Sequence, residues 1–231
     1  MEPGAATEEL KLPFVDRSQA GRLLAGRLQQ FSGPARDTVV LGLPRGGVPV
    51  AFEVAHALRL PLDVYVVRKL GTPGFEELAM GAIATGGAQV LNRKVIEELH
   101  VTQGQLEKVL AAESAELERR ERAYRQDRPP LQLEGRTSIL VDDGLATGST
   151  MRAAIASLRA QGARAVVVAV PVAPPDTCRE MARETDAVVC LATPQPFLAV
   201  GQWYEEFSAP SDDEIRRLLR ANAEEMAEVG G

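Results

Sequence analysis

Ile139-Leu-Val-Asp-Asp-Gly-Leu-Ala-Thr-Gly-Ser-Thr150 is the stretch from which the rest of the chain can be read. With Thr137 and Ser138 before it, it starts as a short, continuous apolar run, the pattern of a strand buried on both faces of a parallel sheet. The run brings two adjacent carboxylates, Asp142 and Asp143, to its carboxyl end. After a short turn, Thr147-Gly148-Ser149-Thr150 opens a helix predicted to reach about Ala160. The free N–H groups of that first turn, the positive end of the helix dipole and three hydroxyls suit a phosphate. Gly148 lets the backbone approach a phosphate oxygen closely. Carboxylates beside a phosphate repel it unless they face something else, and sugar hydroxyls or a divalent cation are the natural partners. The arrangement asks for a sugar phosphate.

Upstream, Thr38 to Leu43 reads as another buried strand, followed by a Pro44-Arg45-Gly46-Gly47 turn and a helix from Val48 to about Leu58. The next strand is predicted over Leu62 to Val67 and runs into Arg68-Lys69. This βαβ pattern implies parallel strands with a right-handed crossover. Met80–Ala84 and Gln89–Leu91 flank Gly86-Gly87 as a hairpin, and two helices follow, Lys94–Leu99 and about Gln103 to Arg125. Along the longer helix Leu106, Leu110, Leu117 and Tyr124 form one stripe, while the mixed charges from Glu118 to Arg125 read as a solvated face.

Downstream, Arg164–Val172 and Ala187–Leu191 are strands with a helix over Thr177–Glu184 between them. An aromatic segment from Phe197 to Phe207 leads to a helix from Asp212 to about Met226, capped by Ser211. At the other end, residues 1–15 read as a flexible lead-in, and a helix capped by Asp16 or Ser18 runs to about Phe31, where Ser32-Gly33-Pro34 stops it. Strands alternating with helices predict an α/β fold around a doubly wound, mostly parallel sheet. Its crevice belongs at the carboxyl ends of the strands.

The 231 residues carry 26 Lys plus Arg against 32 Asp plus Glu, a net charge of -6, which argues against a broad surface for nucleic acid or anionic membranes. No apolar run reaches the ~18–20 residues of a membrane span, and the acidic opening lacks a signal pattern, so a soluble, cytoplasmic protein is expected. Cys178 and Cys190 form no CxxC and lie far from His56 and His100, so no zinc site is expected, and both cysteines are read as buried thiols. Two common phosphate loops are excluded. No lysine follows Gly148 as a P-loop requires, and Gly42 to Gly47 does not match G-x-G-x-x-G.

Asp142-Asp143-Gly-Leu-Ala-Thr147-Gly148-Ser-Thr150 resembles the hallmark of the type I phosphoribosyltransferases. The resemblance covers roughly residues 38–192, and the combination of Pro-Arg-Gly-Gly, Val-Arg-Lys-Leu-Gly and the Trp-Tyr-x-x-Phe tail looks like a bacterial subgroup of predicted phosphoribosyltransferases. It implies one domain over 1–231: a core at about 38–192, a small hood from about 1–37 and 193–231, and a helical insertion at about 92–130. It also implies transfer of ribose 5-phosphate from phosphoribosyl pyrophosphate (PRPP) to a nitrogenous base, a purine, a pyrimidine or another acceptor, with loss of pyrophosphate.

By the same resemblance Asp142 and Asp143 would hold the ribose hydroxyls, directly or through water would hold Mg2+, and Ala146, Thr147, Gly148, Ser149 and Thr150 would wrap the 5-phosphate. Arg45, Gly46, Gly47, Arg68 and Lys69 would take the pyrophosphate, with Arg45 and Lys69 completing the catalytic set. A cis peptide between non-proline residues is common in the first of these loops, and Arg45-Gly46 is the expected place. Strand alternation favours Lys69 over Arg68 for the crevice.

Oxopurine-specific members carry an acid immediately before the Thr-Gly, whereas this chain has Ala146, which weakens a hypoxanthine or guanine acceptor. Relatives usually form homodimers. Two other activities stay open: a PRPP-binding regulator without chemistry, and hydrolysis of PRPP or transfer to an unusual acceptor. Trp203 and Tyr204 are expected to pack the tail against the sheet, with stacking on a base as the alternative.

Overall fold

The computed structural model describes residues 10–32, 37–126, 128–129 and 131–229. The first nine residues of the expected lead-in and the Gly33-Pro34 stop lie outside the described residues. Five strands form one parallel sheet: β1 (Thr38–Gly42), β2 (Leu62–Val64), β6 (Thr137–Val141), β7 (Ala165–Val172) and β8 (Ala187–Ala192). Their order is β2-β1-β6-β7-β8. β1 and β6 are buried along their whole length at the centre, as their unbroken apolar runs demand.

Alternate residues divide the core between the two faces. Val40, Ile139 and Val141 meet α1 (Arg17–Gly26), α2 (Gly47–Leu58) and α7 (Asp212–Val229) on one face. Val39, Leu41 and Leu140 meet α5 (Ser149–Ala160) and α6 (Pro175–Glu184) on the other. This is the doubly wound arrangement the strand–helix alternation requires. Fully burying one such Val or Leu side chain contributes about 1.5–3 kcal/mol. Among the described residues no helix is long and apolar enough to cross a membrane.

The first helix stops at Gly26 and only a 3-10 turn covers Gln29–Phe31, where the sequence reading ran one helix to about Phe31. The structure departs from the sequence reading in four further places. The run from Leu62 to Lys69 is two strands, because its partner β1 ends at Gly42 and offers nothing to pair beyond Tyr65, whose N–H donates to the Gly42 carbonyl. From Val67 the chain pairs elsewhere, and β3 (Val67–Thr72), β4 (Phe75–Ala84) and β5 (Ala88–Leu91) make a separate antiparallel sheet. This sheet precedes the helices α3 (Arg93–Glu98) and α4 (Gln103–Arg125).

Second, α4 is not solvated along its whole distal part. Arg119 and Arg120 pair with Glu116 as a surface helix should, but Arg125 turns inward and grips Asp63 of β2 at 3.0 and 3.1 Å.

Third, Cys178 and Cys190 are not thiols but a disulfide joining α6 to β8. The two cysteines are 12 positions apart, and the chain reverses from helix to strand between them, which lays one against the other.

Fourth, the non-proline cis peptide is Pro44-Arg45, one bond earlier than expected. Gly46 already has helical φ and ψ, and the Arg45 carbonyl accepts from Val48, so the Arg45-Gly46 peptide belongs to the start of α2.

Candidate functional site

The carboxyl ends of β1 and β6 lie side by side, with Gly42 opposite Val141, so the loops that leave them meet. The contact needs glycine. A Cβ on Gly47 would sit 2.6 Å from the Val141 carbonyl and 2.8 Å from the Asp142 Cα, both backbone atoms that cannot step aside. A Cβ on Gly46 would run into the Asp143 carboxylate. The Pro44–Gly47 turn thus rests directly on the acidic pair.

Beyond the pair, the backbone passes through Gly148 at φ +71 and into α5, leaving the N–H groups of its first turn without intrahelical acceptors. Asp142, Gly144 to Ser149 and Thr150 line a cavity of about 160 Å3 here. Thr177 holds the loop from α6 by donating to the Ala146 carbonyl at 3.0 Å, and Arg152 donates to the Thr147 carbonyl at 3.0 Å. Arg152 is itself fixed by Glu180 and Glu184.

The two acids differ. Asp142 faces the cavity and takes the Asp143 N–H at 2.9 Å. Burial, and then the charge of Asp143, push its carboxyl well above the usual range. Burial also raises Asp143, although the Arg17 guanidinium beside it pulls the other way. Arg17 donates from Nε to Asp143 Oδ2 at 2.9 Å, its Nη2 lies 2.9 Å from the same oxygen, and Nη1 donates to the Ser208 carbonyl at 2.7 Å. Tyr204 donates its hydroxyl to the Asp143 carbonyl at 2.6 Å, and burial raises its phenol.

These residues come from both chain ends. Phe14 pairs with Trp203 and Glu205, and Val15 with Glu206, tying the N-terminal segment to the tail. Reading the sequence missed Arg17 and Ser208, and gave Phe207 only as part of the tail motif. A lone basic residue after a helix cap carries no local signature, and only the approach of the two termini gives it meaning.

The cationic candidates are dispersed. Arg45 is half exposed and turned toward α7, with Nη1 3.9 Å from Asp212 Oδ1. Arg68 is spent on Glu113 of α4 at 2.7 Å. Lys69, on the opposite face of β3, lines a second cavity of about 640 Å3 between the small sheet and α5, together with Ser149 and Arg152. Alternation therefore separates Arg68 from Lys69, and Lys69 is the one that shares a cavity with α5. Tyr204 is buried, and Trp203 packs against Phe197 with ring centroids 6.1 Å apart.

Among the described residues no three His, Cys, Asp or Glu side chains converge as a metal site. The protein offers a cation two hard carboxylate donors, one of them already paired with Arg17. That set suits an ion such as Mg2+, which keeps its waters and takes other ligands from phosphate oxygens.

A phosphoribosyl transferase domain profile matches residues 17–205, a span that includes Arg17, the glycine turn, the acidic pair and the loop that follows it. The chain belongs to the phosphoribosyl transferase family. Two relatives in Mycobacterium tuberculosis bear the names "Putative phosphoribosyl transferase MT0597" (strain CDC 1551 / Oshkosh) and "Putative phosphoribosyl transferase Rv0571c" (strain ATCC 25618 / H37Rv). Each is 51% identical over 217 residues, 94% of this chain and 48% of the relative. This phosphoribosyl transferase chain thus spans about half the length of the curated relatives it matches. The crystal structure of TT1426 from Thermus thermophilus is 43% identical and superposes with a TM-score of 0.80, covering 89% of this chain and 97% of that one. The profile begins at Arg17 and ends one residue past Tyr204, so it spans the Arg17–Asp143 pair and the Tyr204 bond to Asp143.

Proposed function

We propose that the chain transfers ribose 5-phosphate from PRPP to a nitrogenous base and releases pyrophosphate. The observation that carries this reading is the seating of the glycine turn on the acidic pair. One short stretch of surface then offers helix N–H groups for a terminal phosphate, a carboxylate for ring hydroxyls and a backbone turn for the leaving group. Asp142 would hold the ribose hydroxyls, with Asp143 beside it, while residues 146–150 would wrap the 5-phosphate.

Gly46, Gly47, Arg45 and Lys69 would receive the pyrophosphate, whose growing negative charge is the main thing a catalyst of this step must stabilise. Arg45 and Lys69 would supply fixed positive charge and need transfer no proton, whereas Arg68 is occupied by Glu113. Asp142 and Asp143 would hold Mg2+, which when bound neutralises phosphate charge. The family resemblance carries the remaining parts of the reading: a single domain with a hood, a homodimer and a cytoplasmic location.

The test is pyrophosphate release from PRPP, with and without Mg2+, across a panel of purine and pyrimidine bases. Release by the wild type that needs one of the bases, and its loss in the Asp142→Asn/Asp143→Asn double variant, is the expected result. Release unchanged by the double substitution would sink the assignment. PRPP binding with no base converted would favour a regulator instead.

A further inference from the structure

The pairing of Arg17 with Asp143 is not explained by catalysis at the phosphate loop, nor by packing of α1 alone. The Arg17 side chain is only 10% exposed and Asp143 only 14%. Two of its nitrogens converge on a single carboxylate oxygen, Oδ2, so Arg17 claims one of the two oxygens and leaves the other edge of the carboxylate to other partners. Its third donor takes the Ser208 carbonyl. The guanidinium lies 4.0 Å from the centroid of the Phe207 ring and 5.9 Å from that of Tyr204, and Tyr204 reaches past it to the Asp143 carbonyl. Every contact of this cation therefore leads either to the second acid of the pair or to the tail segment that packs over it.

Two carboxylates side by side in a half-buried place repel each other. A buried guanidinium bound to one of them cancels that charge locally. It also fixes the rotamer of Asp143 against Gly46, where no side chain separates the two. We propose that Arg17 is a positioning residue for the pentose: it acts through Asp143, holding the acidic pair in the state that accepts ring hydroxyls, and couples that state to closure of the two chain ends. This rests on the sugar-phosphate reading of the site. It makes affinity for the sugar ring, separately from affinity for the phosphate, depend on a residue far away in the chain.

Calorimetric titration with three probes tests it: ribose 5-phosphate, 2-deoxyribose 5-phosphate and inorganic phosphate. The wild type is expected to prefer ribose 5-phosphate over the deoxy sugar by about tenfold. Arg17→Gln is expected to lose most of that preference while its affinity for inorganic phosphate stays within about twofold. Arg17→Lys, which keeps the charge but not the two-point grip, should fall between them and decides the matter if the Gln variant does not fold. A purely structural Arg17 would weaken all three probes in parallel, and that result, or an unchanged preference in the variants, overturns the proposal. A wild type that does not distinguish the two sugars overturns the reading of the site itself, and the positioning role with it.

Discussion

At the scale of single residues, Asp142 is the position where function and stability pull apart. Its carboxyl is raised because burial disfavours the charged form and Asp143 adds like charge. A carboxyl whose pKa is higher folded than unfolded contributes stability at low pH, where both states are protonated. That contribution is lost as the pH rises from about 3.9, its unfolded value, through the raised one. Asp142→Asn mimics the neutral acid and removes this loss. The variant should melt higher than wild type at neutral pH, by roughly 2–4 °C for each ~1 kcal/mol gained, and the advantage should shrink to nothing as the pH falls toward 4. Ribose 5-phosphate binding should disappear in the same protein. Thermal melts across pH, paired with calorimetry, check both halves. A lower melting temperature at pH 7.5 would show that its surroundings stabilise the ionised Asp142 instead of penalising it.

Among the elements, β3 shows how a strand's period of two distributes charge. Arg68 points to α4 and meets Glu113, whereas Lys69 points to α5 and its cavity. The pair with Glu113 is partly exposed, so Arg68→Ala should cost no more than about 1 kcal/mol and leave PRPP affinity unchanged. Lys69→Ala should weaken PRPP about tenfold or more, yet leave ribose 5-phosphate alone, since only PRPP carries the pyrophosphate. Equal losses for both ligands in Lys69→Ala would move this lysine to the 5-phosphate.

The alternation was legible in the sequence, and so were the boundaries of β6 and α5, and those of β7 to within one residue, because short apolar runs and a Thr-Gly-Ser-Thr helix start are local signals. The break between β2 and β3 was not. Leu62 to Val67 stays almost continuously apolar, and what ends the strand is distant. β1 runs out, and the Tyr65 hydroxyl is captured by Ser157 at 2.8 Å and Gln161 at 2.6 Å, residues nearly a hundred positions away. The Cys178–Cys190 bond escaped notice for the same reason, since spacing alone does not say that a helix will fold back on the next strand.

On the scale of the whole molecule, the two termini do different work although both close over the sheet. The N-terminal segment and residues 203–208 reach the acidic pair, whereas α7 guards the opposite margin. β2 is an edge strand, and an edge leaves backbone groups without partners. Asn222 of α7 covers that edge: its side chain accepts the Leu62 N–H at 2.7 Å and donates to the Leu60 carbonyl at 3.0 Å, all of it buried. Arg128 adds a bond to the Leu219 carbonyl at 2.6 Å, which draws the same helix inward from α4's end. Asn222→Ala would leave a buried donor and a buried acceptor unsatisfied at about 1–3 kcal/mol each. The expected loss is about 2–6 kcal/mol, or roughly 4–24 °C in melting temperature for a chain of this size. Because the helix touches neither the 146–150 loop nor the glycine turn through Asn222, ribose 5-phosphate affinity of the folded fraction should not change. A large fall in affinity with little change in melting temperature would instead make α7 part of the binding machinery, and the division of labour between the two chain ends would have to be redrawn.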